Sequence, residues 1–298
     1  MAIIWGGTWP LGRWLVSPEV GGATIPPLMI AVLRYFVSIW FFFLILFLRE
    51  KSLNFSFAKN HWKIFLVMGL SSVTIYQIGY MYGEFYTSAS DASVIVGTLP
   101  MLVILFASFL IKSETFEISK IIGALFSFGG IIVIAGFSPN TNVLDRLLGD
   151  CLIFLGAMSY AFYTVISRQF LSKKRGGFEP SSLYLITWVS FFGFLTILPV
   201  GLILNPEYLH LSNYLSIPVR VWWGLSYLIF LSTIGGYWFF LEGVKRLSAS
   251  KAAIFQNLVP IIGVALSAIF LGEIFDPFIH LSALFLIIIG IFLVHRSK

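Results

Sequence analysis

Apolar stretches of bilayer-spanning length follow one another along almost the whole of this chain. A helix needs about 20 apolar residues to cross about 30 Å of hydrocarbon. Ten segments reach that length or approach it: 1–16, 27–48, 63–84, 90–111, 119–137, 149–170, 182–204, 221–243, 250–271 and 278–295. Only 11% of the 298 residues are charged and 58% are hydrophobic, whereas about a quarter of an ordinary soluble domain is charged. A soluble fold of this length has no interior large enough for that apolar surface. Backbone in lipid must satisfy its own hydrogen bonds, so the segments are predicted to be helices. The expected fold class is all-α, a polytopic membrane protein of ten transmembrane helices. Pro10, Pro100 and Pro260 are each expected to interrupt one of them.

The charges orient the bundle. With the N-terminus inside, fifteen of the 19 Lys and Arg fall in the inner loops and at the C-terminus, from Arg49 and Lys51 to Arg296 and Lys298. The outer loops hold only Arg146 and Arg220, while Arg13 and Arg34 lie within spans. This positive-inside bias predicts a multi-pass protein of the cell membrane with both termini cytoplasmic. The net charge of +6 does not point to nucleic acid, because the basic residues form short clusters between apolar runs. The first apolar run lacks a charged leader and a small-residue cleavage site, and reads as a retained span. Cys151 is the single cysteine, so no internal disulfide is available.

The chain also resembles itself. Ser88-Ala-Ser-Asp-Ala-Ser-Val-Ile-Val-Gly-Thr-Leu-Pro100 aligns without gaps on Ser248-Ala-Ser-Lys-Ala-Ala-Ile-Phe-Gln-Asn-Leu-Val-Pro260. Each copy continues through apolar residues to a glutamate, Glu114 and Glu273. So long a period excludes a solenoid and indicates a duplicated half, giving domains at 1–137 and 149–298. Five spans per half force opposite orientations, the inverted repeat found in secondary transporters. Asp91 in the outer copy and Lys251 in the inner copy follow that inversion.

These residues carry a resemblance. Ile4-Trp-Gly-Gly-Thr8, Leu33-Arg-Tyr35, Thr87-Ser-Ala-Ser90 with Pro100 and Glu114, and Leu247-Ser-Ala-Ser-Lys251 with Pro260 and Leu271-Gly-Glu273 resemble, in this order, the EamA-type members of the drug/metabolite transporter superfamily. The resemblance extends over essentially the whole chain. It implies two five-helix halves around a central cavity lined by spans 1, 3, 4, 6, 8 and 9. It also implies export or exchange of amino acids, other metabolites or drugs by alternating access.

Polar residues inside a span cost free energy and are candidates for function, although interhelical glue is the competing reading. Tyr76, Tyr80 and Glu84 share one face of span 3, with Gln77 beside them. Span 6 offers Tyr160 and Tyr163, span 8 offers Thr233, Tyr237 and Trp238, and Gln256 and Asn257 precede Pro260. Span 1 adds Trp5, Thr8 and Trp9. The substrate-binding candidates are Trp5, Trp9, Tyr76, Gln77, Tyr80, Tyr160, Tyr163, Tyr237, Trp238, Gln256 and Asn257. Such a lining suits a small polar or zwitterionic molecule with an apolar or aromatic part, and aromatic faces bind ammonium groups. Tyrosines and tryptophans near span ends serve equally as interface anchors. Arg34 and Glu84 are candidates for a gate or a structural ion pair, with Asp91 a further acidic partner.

His61, His210, His280 and His295 have no metal-ligand spacing, and Arg13-Trp14 stands where a phosphate loop needs Lys and Ser/Thr. No enzyme and no cofactor are expected. The expected partners are a small-molecule substrate and membrane lipid, with no nucleic acid. The expected activity is secondary transport, most simply of amino acids, bulky or aromatic ones first. Nucleosides, amines and drugs are alternative cargoes, and a channel or scaffold is the alternative class. No carboxylate is placed at the centre of a span, which favours exchange or facilitated diffusion over proton coupling.

Overall fold

A computed structural model of the chain describes residues 1–20, 25–111, 118–137, 143–172, 177–246, 256, 258–273 and 276–296. The helices are α1 (Ala2–Val16), α2 (Pro27–Glu50), α3 (Trp62–Tyr86), α4 (Ala89–Leu110), α5 (Ile118–Phe137), α6 (Val143–Leu171), α7 (Ser182–Leu204), α8 (Val219–Arg246), α9 (Leu258–Leu271) and α10 (Pro277–Arg296). Six of them, α2, α3, α4, α6, α7 and α8, contain stretches long and apolar enough to cross a membrane, and shorter apolar helices occupy Leu258–Leu271 and Pro277–Gly290. The chain is thus a helical, multi-pass membrane protein. Each segment expected from the sequence overlaps one of these helices, although 250–255 and 257 of the ninth segment lie outside the described residues.

Local chemistry sets the boundaries. Pro27 opens α2, where its missing N–H costs nothing. Lys51 closes that helix in the left-handed conformation. Ser88 and Ser181 cap α4 and α7 by accepting from the backbone N–H of Asp91 and Tyr184. The prolines behave differently from one another. α4 breaks at Gly97–Thr98 and restarts at Leu99, just before Pro100, whereas α1 runs on through Pro10 and Pro260 lies in the first turn of α9. Two helices contain π-helical stretches, Leu70–Ile75 in α3 and Tyr227–Tyr237 in α8. Such insertions gather at functional sites because they rotate the following side chains.

The strongest packing pairs are α5 with α10, α3 with α6, α3 with α7, α1 with α9, α4 with α6, α2 with α7, and α4 with α9. Glycines bring α3 and α6 together. A Cβ on Gly79 would meet the Leu152 carbonyl and Gly156, and one on Gly149 would meet Gly83 and Thr87. Where α1 meets α8 and α9, by contrast, a groove of about 430 Å³ opens beside Gly7, Leu11, Trp14, Tyr227 and Leu266.

Polar contacts sort the helix ends into two groups. At one end Arg13 reaches the Glu84 and Phe85 carbonyls and Glu19. There Asp91 meets Arg146 at 2.9 Å and His280 at 3.3 Å, and Thr87 donates to Asp150 at 2.7 Å. At the other end Ser181 bonds Glu50, Tyr184 bonds the Asn54 carbonyl and Arg168 bonds the Lys245 carbonyl. Arg49, Lys51, Lys59 and Lys63 belong to this second end.

Candidate functional site

A closed cavity lies inside the bundle. Trp5, Thr8 and Trp9 of α1, Arg34 of α2, Tyr76 and Tyr80 of α3, Val96 and Leu99 of α4, Tyr160 of α6, Ser232 and Tyr237 of α8, Gln256, and Val259 of α9 form its wall. About 30 Å³ of free space remains between them, room for one or two waters and far below the about 300 Å³ of a typical small-molecule pocket. A metabolite can enter only when the wall moves.

The wall is an aromatic box with one charge. Trp5 meets Tyr237 edge-on at 5.4 Å between ring centroids, and Trp9 meets Tyr80 in the same way at 5.1 Å. Tyr160 lies 5.0 Å from Tyr76 and 5.9 Å from Tyr237. Close backbone approach makes this possible, since a Cβ on Gly236 would run into the Trp5 indole. Hydrogen bonds then fix the rings. Trp5 Nε1 donates to the Ser232 carbonyl at 3.1 Å, and Tyr80 Oη donates to the Thr8 carbonyl at 2.8 Å. Thr8 Oγ1 donates to Ser232 Oγ at 3.2 Å.

Arg34 is fully enclosed. Its Nε donates to Thr233 Oγ1 and its Nη2 to Ser232 Oγ at 3.0 Å. Among the described residues no carboxylate lies within ion-pair distance of it. Its guanidinium also lies 5.9 Å from the Tyr35 ring centroid, and with neutral partners alone among the described residues its positive charge favours an anionic group in the adjacent cavity. Two further wall atoms, Tyr160 Oη and Gln256 Oε1, are buried with no hydrogen-bond partner among the described residues. Buried polar atoms are nearly always satisfied, so the box offers three polar anchors around an aromatic interior.

The structure separates the sequence candidates. Trp5, Trp9, Tyr76, Tyr80, Tyr160, Tyr237 and Gln256 come together in the cavity, as does Arg34. Gln77 and Tyr163 do not line it. Gln77 is fully buried and donates to Tyr35 Oη at 3.4 Å, and Tyr163 packs behind Tyr160 at 5.4 Å. Trp238 points elsewhere, beneath the Arg49 guanidinium at 4.6 Å and stacked with Phe239, towards the basic end of the bundle. It directly follows the π-helical stretch, and regular helical spacing misjudges its direction there. Asn257 lies outside the described residues.

Arg34 and Glu84 form no ion pair. Arg34 turns to the α8 hydroxyls, and Asp91 is taken by Arg146 and His280. Sequence reasoning missed Ser232, Val96, Leu99 and Val259 as wall residues. Val96 and Leu99 occupy the same places in the first repeat copy as Gln256 and Val259 in the second. The alignment therefore held the signal for both.

A helical membrane bundle with a closed, polar-anchored cavity at its centre is the architecture of a transporter. The EamA-like transporter family model matches residues 1–136 and 147–296, and the chain belongs to that family. It is 28% identical over 302 residues to the uncharacterised transporter YetK of Bacillus subtilis, covering all of this chain and 85% of YetK. It is also similar to a protein named a probable amino-acid metabolite efflux pump from Escherichia coli, at 23% identity over 92% of this chain and 85% of that one. Among solved structures, one crystal structure superposes with a TM-score of 0.62 at 19% identity, covering 98% of this chain and 94% of the other. That likeness concerns the fold alone.

Proposed function

We propose that this chain is a secondary transporter of the cell membrane that moves amino acids, bulky or aromatic ones first, by alternating access through the central cavity. In this reading ten spans form two inverted five-helix halves, 1–137 and 149–298, with both termini cytoplasmic. The observation that carries the cargo assignment is Arg34, a buried cation with no carboxylate within ion-pair distance among the described residues, set beside a box of six aromatic rings. Arg34 receives the carboxylate. The Tyr76, Tyr160 and Tyr237 faces and the Gln256 carbonyl receive the ammonium group, and Trp5 and Trp9 hold an apolar side chain. The efflux pump's name, in a relative covering most of the chain, agrees with this cargo.

The two halves explain how the site changes sides. The wall residues Val96 and Leu99 match Gln256 and Val259 through the repeat, and α3 and α8 each carry a π-helical stretch leading to a wall tyrosine. Under the same relation the tight α3–α6 contact corresponds to the grooved α8–α1 contact. Exchanging these two packings would open the opposite face. The positive charge at the end bearing Arg49, Lys51, Lys59 and Lys63 supports the cytoplasmic assignment of that end.

Counterflow in proteoliposomes tests the reading. Vesicles preloaded with unlabelled phenylalanine are expected to take up labelled phenylalanine saturably, and an excess of its decarboxylated amine should compete poorly. No saturable uptake of aromatic or aliphatic amino acids would reject the cargo, while linear, unsaturable flux would reject the carrier mechanism.

A further inference from the structure

Of the buried acids Glu84, Asp91 and Asp150, which all lie outside the cavity wall, Glu84 alone has no ion-pair or hydrogen-bond partner among the described residues. It sits one turn along α3 from Tyr80, a cavity residue, and one residue before the half-exposed Phe85 at the outer end. Its side chain is completely enclosed, and neither carboxylate oxygen has a hydrogen-bond partner among the described residues. No Lys, Arg or His among the described residues lies within ion-pair distance. Arg13, the nearest cation on α1, spends its donors on the Glu84 and Phe85 carbonyls and on Glu19. The Tyr80 hydroxyl lies beside the carboxylate, both against the bare Cα of Gly12, but gives its proton to the Thr8 carbonyl.

The other charged and titratable groups facing Glu84 are Arg34 on α2, Glu273 beyond α9 and Tyr76 on its own helix. Those that α4 and α6 bring to α3, namely Asp91, Arg146 and Asp150, are bound among themselves and to Thr87 and His280. A carboxylate taken out of water without a partner is costly, and a neutral acid is far cheaper. The residue thus sits between the cavity and the outer end, in a place where gaining or losing a proton and gaining or losing water are tied together.

From this geometry we infer that Glu84 is a proton-binding site and that transport by this chain is coupled to proton movement, on top of the amino-acid carrier reading above. When α1 and α3 part at the outer end, a hydronium ion gives its proton to the carboxylate, forming a carboxylic acid and a water. The acid is then enclosed. When the cavity faces the other side, the proton passes back to water there and the carboxylate is regenerated.

The test uses the full chain in proteoliposomes with labelled phenylalanine as probe, comparing wild type with Glu84→Gln. Accumulation driven by an imposed pH gradient, with membrane potential clamped, is divided by counterflow without a gradient. This ratio is expected to fall by about tenfold or more in Glu84→Gln. An unchanged ratio, or wild-type accumulation indifferent to the gradient, overturns the inference. Infrared difference spectra between acidic and alkaline buffer supply a readout that needs no cargo. Glu84→Gln is expected to lose one component of the protonated-carboxyl C=O bands that wild type shows, the other acids of the chain contributing equally to both, and identical spectra overturn the inference. If wild type takes up no phenylalanine, the cargo assignment fails while the infrared comparison still decides the role of Glu84.

Discussion

Arg34 Nη2 donates to Ser232 Oγ at 3.0 Å, joining α2 to the π-helical stretch of α8 across 198 positions of sequence. That contact leaves the guanidinium facing the cavity with its charge uncompensated by any described carboxylate. The same hydroxyl accepts from Thr8 of α1 at 3.2 Å, so one serine ties the cation to the helix bearing both cavity tryptophans.

Arg34→Gln is expected to raise the half-saturating phenylalanine concentration by about tenfold or more, the loss of one charged hydrogen bond of about 1.5–3 kcal/mol. Arg34→Lys should recover part of this, since an ammonium keeps the charge but not the fork. Thermal unfolding in detergent should shift little, because Thr233 keeps its bond to the Leu228 carbonyl. Counterflow with unchanged half-saturation would show that Arg34 does not meet the cargo.

Trp9→Ala should depress counterflow strongly, as it removes a ring from the cavity and from Tyr80. Trp238→Ala is expected to leave it within about twofold, the loss being one cation–π contact with Arg49 of about 0.5–1 kcal/mol. Equal losses in both variants would contradict the placement of Trp238.

Gly12→Ala should be destabilised by about 1–3 kcal/mol. The added methyl overlaps both Glu84 Oε2 and Tyr80 Oη, so two buried side chains must shift. Gly129→Ala, where nothing lies within 4 Å, is the control and should unfold at the wild-type temperature.

Glu273 accepts from the backbone N–H of Ala89 at 3.0 Å and of Ser90 at 2.9 Å, and from Ser90 Oγ at 2.7 Å. It thereby holds the N-terminus of α4 from the far end of α9. Glu273→Ala is expected to cost about 2 kcal/mol of stability, whereas Glu273→Gln keeps the acceptor oxygen and should cost about half as much. Denaturant titration of the two variants distinguishes a charged cap from simple packing.

Asp91 and Arg146 form a buried pair at 2.9 Å with His280 on the second oxygen. Asp91→Ala leaves the enclosed arginine without its carboxylate and should cost about 3–5 kcal/mol. The double variant Asp91→Ala with Arg146→Leu should be more stable than Asp91→Ala alone. Additive losses in a double-mutant cycle would show that the pair is not coupled.

Much of this architecture is legible in the chain itself. Apolar length and scarce charge define the helices, because lipid admits no other open-ended backbone structure. The i, i+4 spacing of Tyr76 and Tyr80 places both on one face of α3, and Trp5 and Trp9 obey the same rule on α1. The structure sets all four in one wall. Spacing fails at α8. There the π-helical turns from Tyr227 to Tyr237 add residues without completing regular turns, so the face advances away from the 3.6-residue register. Ser232 is carried into the wall and Trp238 is carried out to Arg49.

Pairings between distant charges were equally hidden. Sequence supplies an arginine and several carboxylates near the same membrane depth, but depth does not select partners. Only the packing of α2 on α8 and of α4 on α6 and α10 gives Arg34 to Ser232 and Thr233 and gives Asp91 to Arg146 and His280. The sequence by itself determined the helices, because each answers locally to water and lipid. Tertiary structure alone decided that Glu84 is enclosed with no partner among the described residues, because desolvation and pairing depend on which helices happen to meet.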